Sequence, residues 1–518
     1  MKNIIKKSLL LVLVPTFITL SFNHTVAFYK ANAEQITDKN DMVRLATLAY
    51  GKDSSTTMTF TWNSTNFTNS IVEISEGTFD ANTAKKYEGT IEISKASSED
   101  GYIHRVIASY LTPDTTYQYR VGDPSLHTSE IGTFKTSSLD NKSFSFMHIS
   151  DPQGISDADY LSYNSLLKTV SSSFSFDFFA LTGDIVNNSW KDHNPNLTQW
   201  ENALTLQHEV IKDYPIMAVA GNHEAADYDF SSRFTYETTD NDKKSGVYYS
   251  FVYEGVYFLA LNTNDALDEE PGSSLSEEQF SFIEADLEAH KDTKWKIVLM
   301  HKGLFDAGAH ASNLAENKDY DIEHYRNDLA PLFSEYNVDL VLQGHDHLYS
   351  KSYPISSTIN NGIVAHEPKV DTLNETYEGT SYAYHPDGPI YLNSGSASGS
   401  KYYGINMSEE MKDKIDYAFN PVTKLFTNIE IDQTNNRLTF NTYKQENDSY
   451  ELFKSYGINK GEKLLPDNPD TPSNDEPTND NPQTQIDLPL IITLSVVGGV
   501  VLIGLIITTI ILIKRRKK

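Results

Sequence analysis

The chain contains no cysteine. Disulfides and thiolate metal sites are thereby excluded, so buried apolar surface and oxygen or nitrogen ligands must stabilise the fold. Basic residues are scarce beside acidic ones, 42 against 71, for a formal net charge of −29. That balance argues against nonspecific binding to nucleic acid or anionic lipid headgroups, which carry the same sign. No internal repeat is visible either.

What the sequence does contain is a series of five short polar blocks. They are Ser150-Asp151-Pro152-Gln153, Thr182-Gly183-Asp184, Gly221-Asn222-His223-Glu224, Leu299-Met300-His301 and Gly344-His345-Asp346-His347. Each follows an apolar run rich in β-forming residues, over 144–149, 178–181, 216–220, 296–299 and 338–342. Such runs predict strands buried on both faces, with the polar groups emerging at their carboxyl ends, where open α/β sheets place ligands. Carboxylate, amide oxygen and imidazole together suit borderline to hard divalent metals. A lone Gly-His-x-His is weak; five blocks in order are not a scatter. His148 falls inside the first run and reads as a packed core histidine.

From residue 143 to 460 these blocks resemble the calcineurin-like metallophosphoesterase superfamily, whose motifs read Asp-x-His, Gly-Asp, Gly-Asn-His-Asp/Glu, His and Gly-His-x-His. The chain looks closest to the purple acid phosphatase branch, because the resemblance extends upstream. The resemblance implies an α/β fold, a four-layer αββα metallophosphatase sandwich preceded by an all-β fibronectin-like domain. It also implies that Asp151, Asp184 and His347 hold one metal and Asp184, Asn222, His301 and His345 a second, with Asp184 bridging. Two such cations (Mn, Zn, Fe or Ca) would activate a bridging hydroxide for in-line attack on a phosphoester. His223 would stabilise the transition state or protonate the leaving oxygen, and Glu224 would orient its ring, unless Glu224 caps the following segment. Asn222 and His310 would contact substrate, His310 lying nine positions after His301.

Two positions depart from the family pattern. Gln153 stands where the superfamily has histidine, and it either ligates through its amide oxygen, holds a metal-bound water, or packs beside the site. Asn187 stands where purple acid phosphatases have tyrosine, so no phenolate is present to ligate ferric iron and the site is expected to be colourless. Leu111 to Val121, with Tyr117 and Tyr119, is similar to the fibronectin type III signature, whose tyrosine closes a turn onto the chain. Residues 41–136 are expected to form that domain, with Thr57 to Trp62 and Ile131 to Thr136 as strands and residues 137–140 as a linker. The run 389–399 ends in small residues, which suits either close backbone approach to substrate or a plain sheet-edge turn. Residues 426–432 and 437–443 alternate around an Asn-Asn turn and predict a closing hairpin.

The ends read as export and anchoring signals. Lys2, Lys6 and Lys7 precede an apolar stretch over 9–22 and small residues at Ala31 and Ala33, a secretory signal peptide cleaved after Ala33 or, alternatively, a retained anchor. Residues 464–489 form an acidic stalk rich in Pro, Asn and Asp, expected to be disordered. Residues 490–513 carry no charge and are long enough to span a bilayer, and the basic residues 514–518 would fix their end in the cytoplasm. This tail also resembles a Gram-positive cell-wall sorting signal, but Leu488-Pro489-Leu490-Ile491-Ile492 lacks the Leu-Pro-x-Thr-Gly motif. The expectation is an extracellular, membrane-anchored phosphoesterase acting on phosphomonoesters. Phosphodiester or nucleotide hydrolysis at the same site, or a noncatalytic surface adhesin, are the alternatives.

Overall fold

The computed structural model describes residues 43–187, 196–238, 244–265, 275–315, 320–420, 422–446 and 449–464. The expected signal peptide, the stalk beyond Leu464, the membrane span and the basic tail lie outside these residues, while Leu464 itself is buried, its N–H donating to Glu375. No helix among the described residues is long and apolar enough to cross a membrane.

Residues 44–135 form two antiparallel sheets. One orders Arg44–Tyr50, Met58–Ser64, Tyr102–Ala108 and Thr90–Ile93; the other is built on Ile71–Glu76 and Thr116–Asp123. Alternation along the strands turns Phe60, Trp62, Val72, Ile74, Val106, Tyr119 and Val121 into one shared core. The Tyr117 hydroxyl accepts the Thr112 N–H at 2.7 Å, closing the turn that precedes its strand.

The expected linker is firmly tied. The N–H and hydroxyl of Ser138 donate to the two oxygens of Glu254, each at 2.6 Å. Deeper in the same junction the fully buried Arg233 guanidinium reaches Asp100 at 2.8 Å and Asp229 at 3.4 Å. Removing one member of such a buried group would leave an uncompensated charge and cost about 3–5 kcal/mol.

The remaining residues build two mixed sheets. The eight-stranded one runs Ile216–Ala218, Phe179–Leu181, Phe144–Ile149, Lys424–Asp432, Arg437–Glu446, Ser449–Asn459, Thr380–Tyr384, Asn374–Tyr377. Its first three strands are parallel. The seven-stranded one runs Tyr249–Tyr253, Val256–Ala260, Lys296–Lys302, Leu340–Gly344, Ile390–Ser394, Tyr349–Ser352, Ile415–Phe419, and its second to fifth strands are parallel. Phe146 stacks on Phe178 at 4.9 Å within the first sheet, and both meet Phe258 of the second edge-on at 5.4 and 5.6 Å. Ile297, Leu299, Leu340 and Leu342 join this core between the sheets, while their alternate neighbours Val298, Met300 and Val341 face a second core with helices Glu277–Ala289 and Tyr320–Glu335.

Helix Asp157–Ser173 packs on the first sheet. Ser156 and Asp159 form its capping box, and Tyr160, Tyr163, Leu166, Leu167 and Val170 form its buried stripe. Every apolar run expected to precede a polar block is a strand, so the five blocks collect at one edge of the paired sheets.

Candidate metal centre

The backbone at this edge is bent into conformations that ordinary residues avoid. Asp151, Asp184 and His345 have φ of 49°, 50° and 75°, in the left-handed region. Each costs about 1–3 kcal/mol and persists only where surrounding contacts enforce it. Gly183 has φ 88°, and a Cβ there would lie 2.7 Å from His301 Nδ1. At Gly221 a Cβ would sit 2.1 Å from Asp184 Oδ1. Both positions require glycine so that the turns can close around the carboxylate.

The side chains gather into two groups able to hold a metal, Asp184 with His301 and His345, and Asp151 with Asp184 and His347; within each group the ligand atoms lie within 4.8 Å of one another. Asp184 belongs to both. His301 Nε2 is 3.3 Å from Asp184 Oδ1 and 3.0 Å from Asn222 Oδ1, which places the Asn222 amide oxygen at the group containing His345. His347 Nε2 is 3.2 Å from Asp151 Oδ1.

Neighbouring carbonyls orient the imidazoles. His301 Nδ1 donates to Thr182 O at 2.8 Å and His347 Nδ1 to Lys401 O at 3.3 Å, so each ring keeps its Nε2 lone pair for the site. Burial raises the Asp184 carboxyl, but His301, His223 and His345 outweigh it and hold it below the ordinary carboxylate range. Asp151 is lowered in the same way, its burial more than offset by His347 and His301. Without a metal, protonated imidazoles supply the positive charge that these buried carboxylates need; with the imidazoles neutral and their lone pairs turned to the site, a cation must supply it. This donor set therefore fits the two-cation site, with no thiolate to favour softer metals.

His223 lies at the open side. Its N–H donates to Asp184 Oδ1 at 3.0 Å and its Nε2 stands 3.8 Å from Asp184 Oδ2, with the side chain 16% exposed. Glu224 meets backbone N–H groups, as the capping alternative has it. Its carboxylate accepts the N–H groups of Asp184 and Val186, each at 2.9 Å, and of Gly221 at 2.8 Å, so both oxygens are engaged by backbone. Burial and the Asp184 charge raise its pKa well above the ordinary value, against the pull of the N–H groups. Glu224 thus fixes the Asp184 turn and its own turn against each other.

His310 comes within 4.3 Å of His345, ring centre to ring centre. Its loop is held by Asp346, which accepts the N–H groups of His310 and Ala311, and by buried Arg326, which donates to the carbonyls of Leu304 and Ala311. His148 lies in the core, between Ser394 at 2.7 Å and Thr182 at 2.9 Å, and burial lowers its pKa to about 3.

Gln153 turns its amide nitrogen inward, 2.8 Å from Asp184 Oδ2 and 3.2 Å from His347 Nε2, and its oxygen outward. Ligation through that oxygen would require the amide to turn over. The oxygen meets Lys401 Nζ at 2.6 Å, and the same ammonium contacts Asn187 Oδ1. Sequence reasoning missed Lys401, together with Tyr403, whose ring stacks on His347 at 4.4 Å and 12°. The available signal was the small-residue run just before them. Ser396 donates to Asp151 O, and Ser398 and Ser400 donate to Gln153 O, so that run approaches the first polar block and delivers Lys401 to the site.

Residues 44–136 match the family model described as purple acid phosphatase, N-terminal domain, and residues 144–349 match that of calcineurin-like phosphoesterase. An uncharacterised protein of Mycobacterium tuberculosis is 25% identical over 372 residues, covering 65% of this chain and 67% of its own. Purple acid phosphatase 15 of Arabidopsis thaliana is 26% identical over 348 residues; the match covers 60% of this chain and little more than half of that protein, 56%. The solved purple acid phosphatase from yellow lupin (Lupinus luteus) seeds shares the fold, with TM-score 0.61 at 18% identity over 80% of this chain and 74% of that one. The matched families and the two ligand groups define a metal-dependent phosphoric ester hydrolase. Over these matched residues the chain is similar to the calcineurin-like metallophosphoesterase superfamily, on its purple acid phosphatase side.

Proposed function

We propose that the chain hydrolyses phosphomonoesters outside the cell, tethered to the membrane by residues 490–513. The observation that carries the catalytic part is Asp184, buried and shared by both ligand groups. When bound, two divalent cations polarise phosphoryl oxygens and bring the pKa of water toward about 7. His223, at the open side, is within reach of a phosphoryl group seated over Asp184 and can donate a proton to the leaving oxygen. Asn222 and His310 border the same opening and orient the ester. Glu224 keeps the turns of Asp184 and Asn222 in register.

The extracellular assignment rests on the charge and hydropathy pattern of residues 1–33 and 490–518. We read the packing of the two sheets and their helices as the four-layer αββα arrangement, and residues 44–135 as a fibronectin-like domain on the strength of the Tyr117 turn. The absence of tyrosine at position 187 supports a colourless site.

The test is hydrolysis of a chromogenic phosphomonoester and its matching diester by the full-length protein and by Asp184→Ala and His223→Ala. The parent should turn over the monoester, and both variants should lose at least about 100-fold in rate. Variants as active as the parent would refute the assigned site.

A further inference from the structure

We propose that Lys401 binds the phosphoryl group of the substrate and selects dianionic monoesters over monoanionic diesters; this rests on the phosphoesterase reading above. The ammonium group is placed at the site by the two residues that depart from the family pattern. Gln153 Oε1 accepts one proton at 2.6 Å and Asn187 Oδ1 accepts a second. Both are amide oxygens that can only accept, and an ammonium group carries three donor protons. Among the described residues no third acceptor is present, so one proton remains for a ligand.

The position of that proton follows from Gln153. The other end of the same amide lies 2.8 Å from Asp184 and 3.2 Å from His347, so Lys401 Nζ stands one amide group away from the Asp151–Asp184–His347 cluster. Burial lowers the Lys401 pKa from its ordinary value, and the charges of Asp184, Asp151 and Glu224 oppose that pull. The Lys401 carbonyl accepts His347 Nδ1, so the backbone of the residue is fixed by the cluster. Ser398 and Ser400, bonded to Gln153 O, hold the loop on the other side.

A monoester phosphoryl group near neutral pH carries about two negative charges and a diester one. A fixed cationic donor at the edge of the cluster pairs with the extra charge of the monoester, which the diester lacks. An ammonium hydrogen bond to phosphate is worth about 10- to 100-fold in affinity.

Full-length parent, Lys401→Met and Lys401→Arg, each loaded with the same divalent metal, decide the matter. The readings are metal content, binding of inorganic phosphate by calorimetry, and kcat/KM for a chromogenic monoester and its diester. We expect Lys401→Met to keep its metals, to bind phosphate about 10- to 100-fold more weakly, and to lose monoester kcat/KM by a similar factor while diester kcat/KM changes less than about threefold. Lys401→Arg should restore part of the monoester rate. Equal losses on both esters, loss of metal from Lys401→Met, or unchanged phosphate binding would each overturn the role of Lys401. A metal-loaded parent that neither binds phosphate nor hydrolyses either ester would instead refute the phosphoesterase reading.

Discussion

Replacing Glu224 by glutamine tests whether this carboxylate acts through the backbone. It is fully buried, and its two oxygens take three N–H groups at 2.8 to 2.9 Å, from Asp184, Val186 and Gly221. Glutamine keeps the shape but turns one acceptor into a donor that must face an N–H. At best the bond to Val186 is lost and its buried N–H is left without an acceptor, at a cost of about 2–3 kcal/mol. Glu224→Gln should therefore unfold about 2–3 kcal/mol more easily in urea when measured on metal-free protein, and should bind metal more weakly because the Asp184 turn loosens. The opposing account, in which Glu224 serves the His223 ring, predicts lost turnover with unchanged stability. Metal-free Glu224→Gln within about 1 kcal/mol of the parent would refute the backbone role.

A stability change with pH should be visible in the N-terminal domain. His104 is stacked on Trp62 at 4.8 Å and bonded to Ser64 and Ser70, and burial lowers its pKa from 6.5 to about 4. The unfolded chain gains this proton near pH 6.5 and the fold only near 4, so the stabilisation is complete above pH 6.5 and falls by about 3 kcal/mol as pH drops to 4. Urea unfolding of the parent and His104→Gln across that range checks it, since the variant should lose this part of the slope. Arg326→Met should free the His310 loop from its tie to Leu304 and Ala311, raising KM for the monoester severalfold while leaving metal content intact, as steady-state kinetics with metal analysis would show.

Much of the site was legible because metal chemistry restricts residue type and strand ends restrict place. Asp151, Asp184, Asn222, His301, His345 and His347 stand in short motifs behind strand-like runs; parallel pairing aligns the blocks within each sheet, and the packing of the two sheets brings them together. The hairpin was readable too, since alternation over residues 426–432 and 437–443 appears as antiparallel pairing of Lys424–Asp432 with Arg437–Glu446, but it closes no sheet: it stands between strands Phe144–Ile149 and Ser449–Asn459. For Glu224 the ring and the capping alternatives both stayed open, because a sequence motif cannot say which of its neighbours, ring or backbone, a carboxylate will meet.

Lys401 was invisible for another reason. Its partners Gln153 and Asn187 lie more than 200 positions away, and a lysine after a serine-rich turn has no local signature of burial. The helices were signalled by caps such as Ser156 with Asp159 and Ser276 with Gln279, but the polar blocks drew the reading elsewhere. Hairpin Tyr249–Tyr253 and Val256–Ala260 turns on Glu254 and Gly255, both with positive φ, a signal that was present and unused.

The most direct test of the central claim, two cations sharing Asp184, is metal readdition to chelated full-length protein during monoester hydrolysis. Turnover should vanish on chelation and return fully only after about two equivalents of one divalent metal, with Asp184→Asn showing no such recovery. Turnover that survives chelation, or saturates at one equivalent, would contradict it.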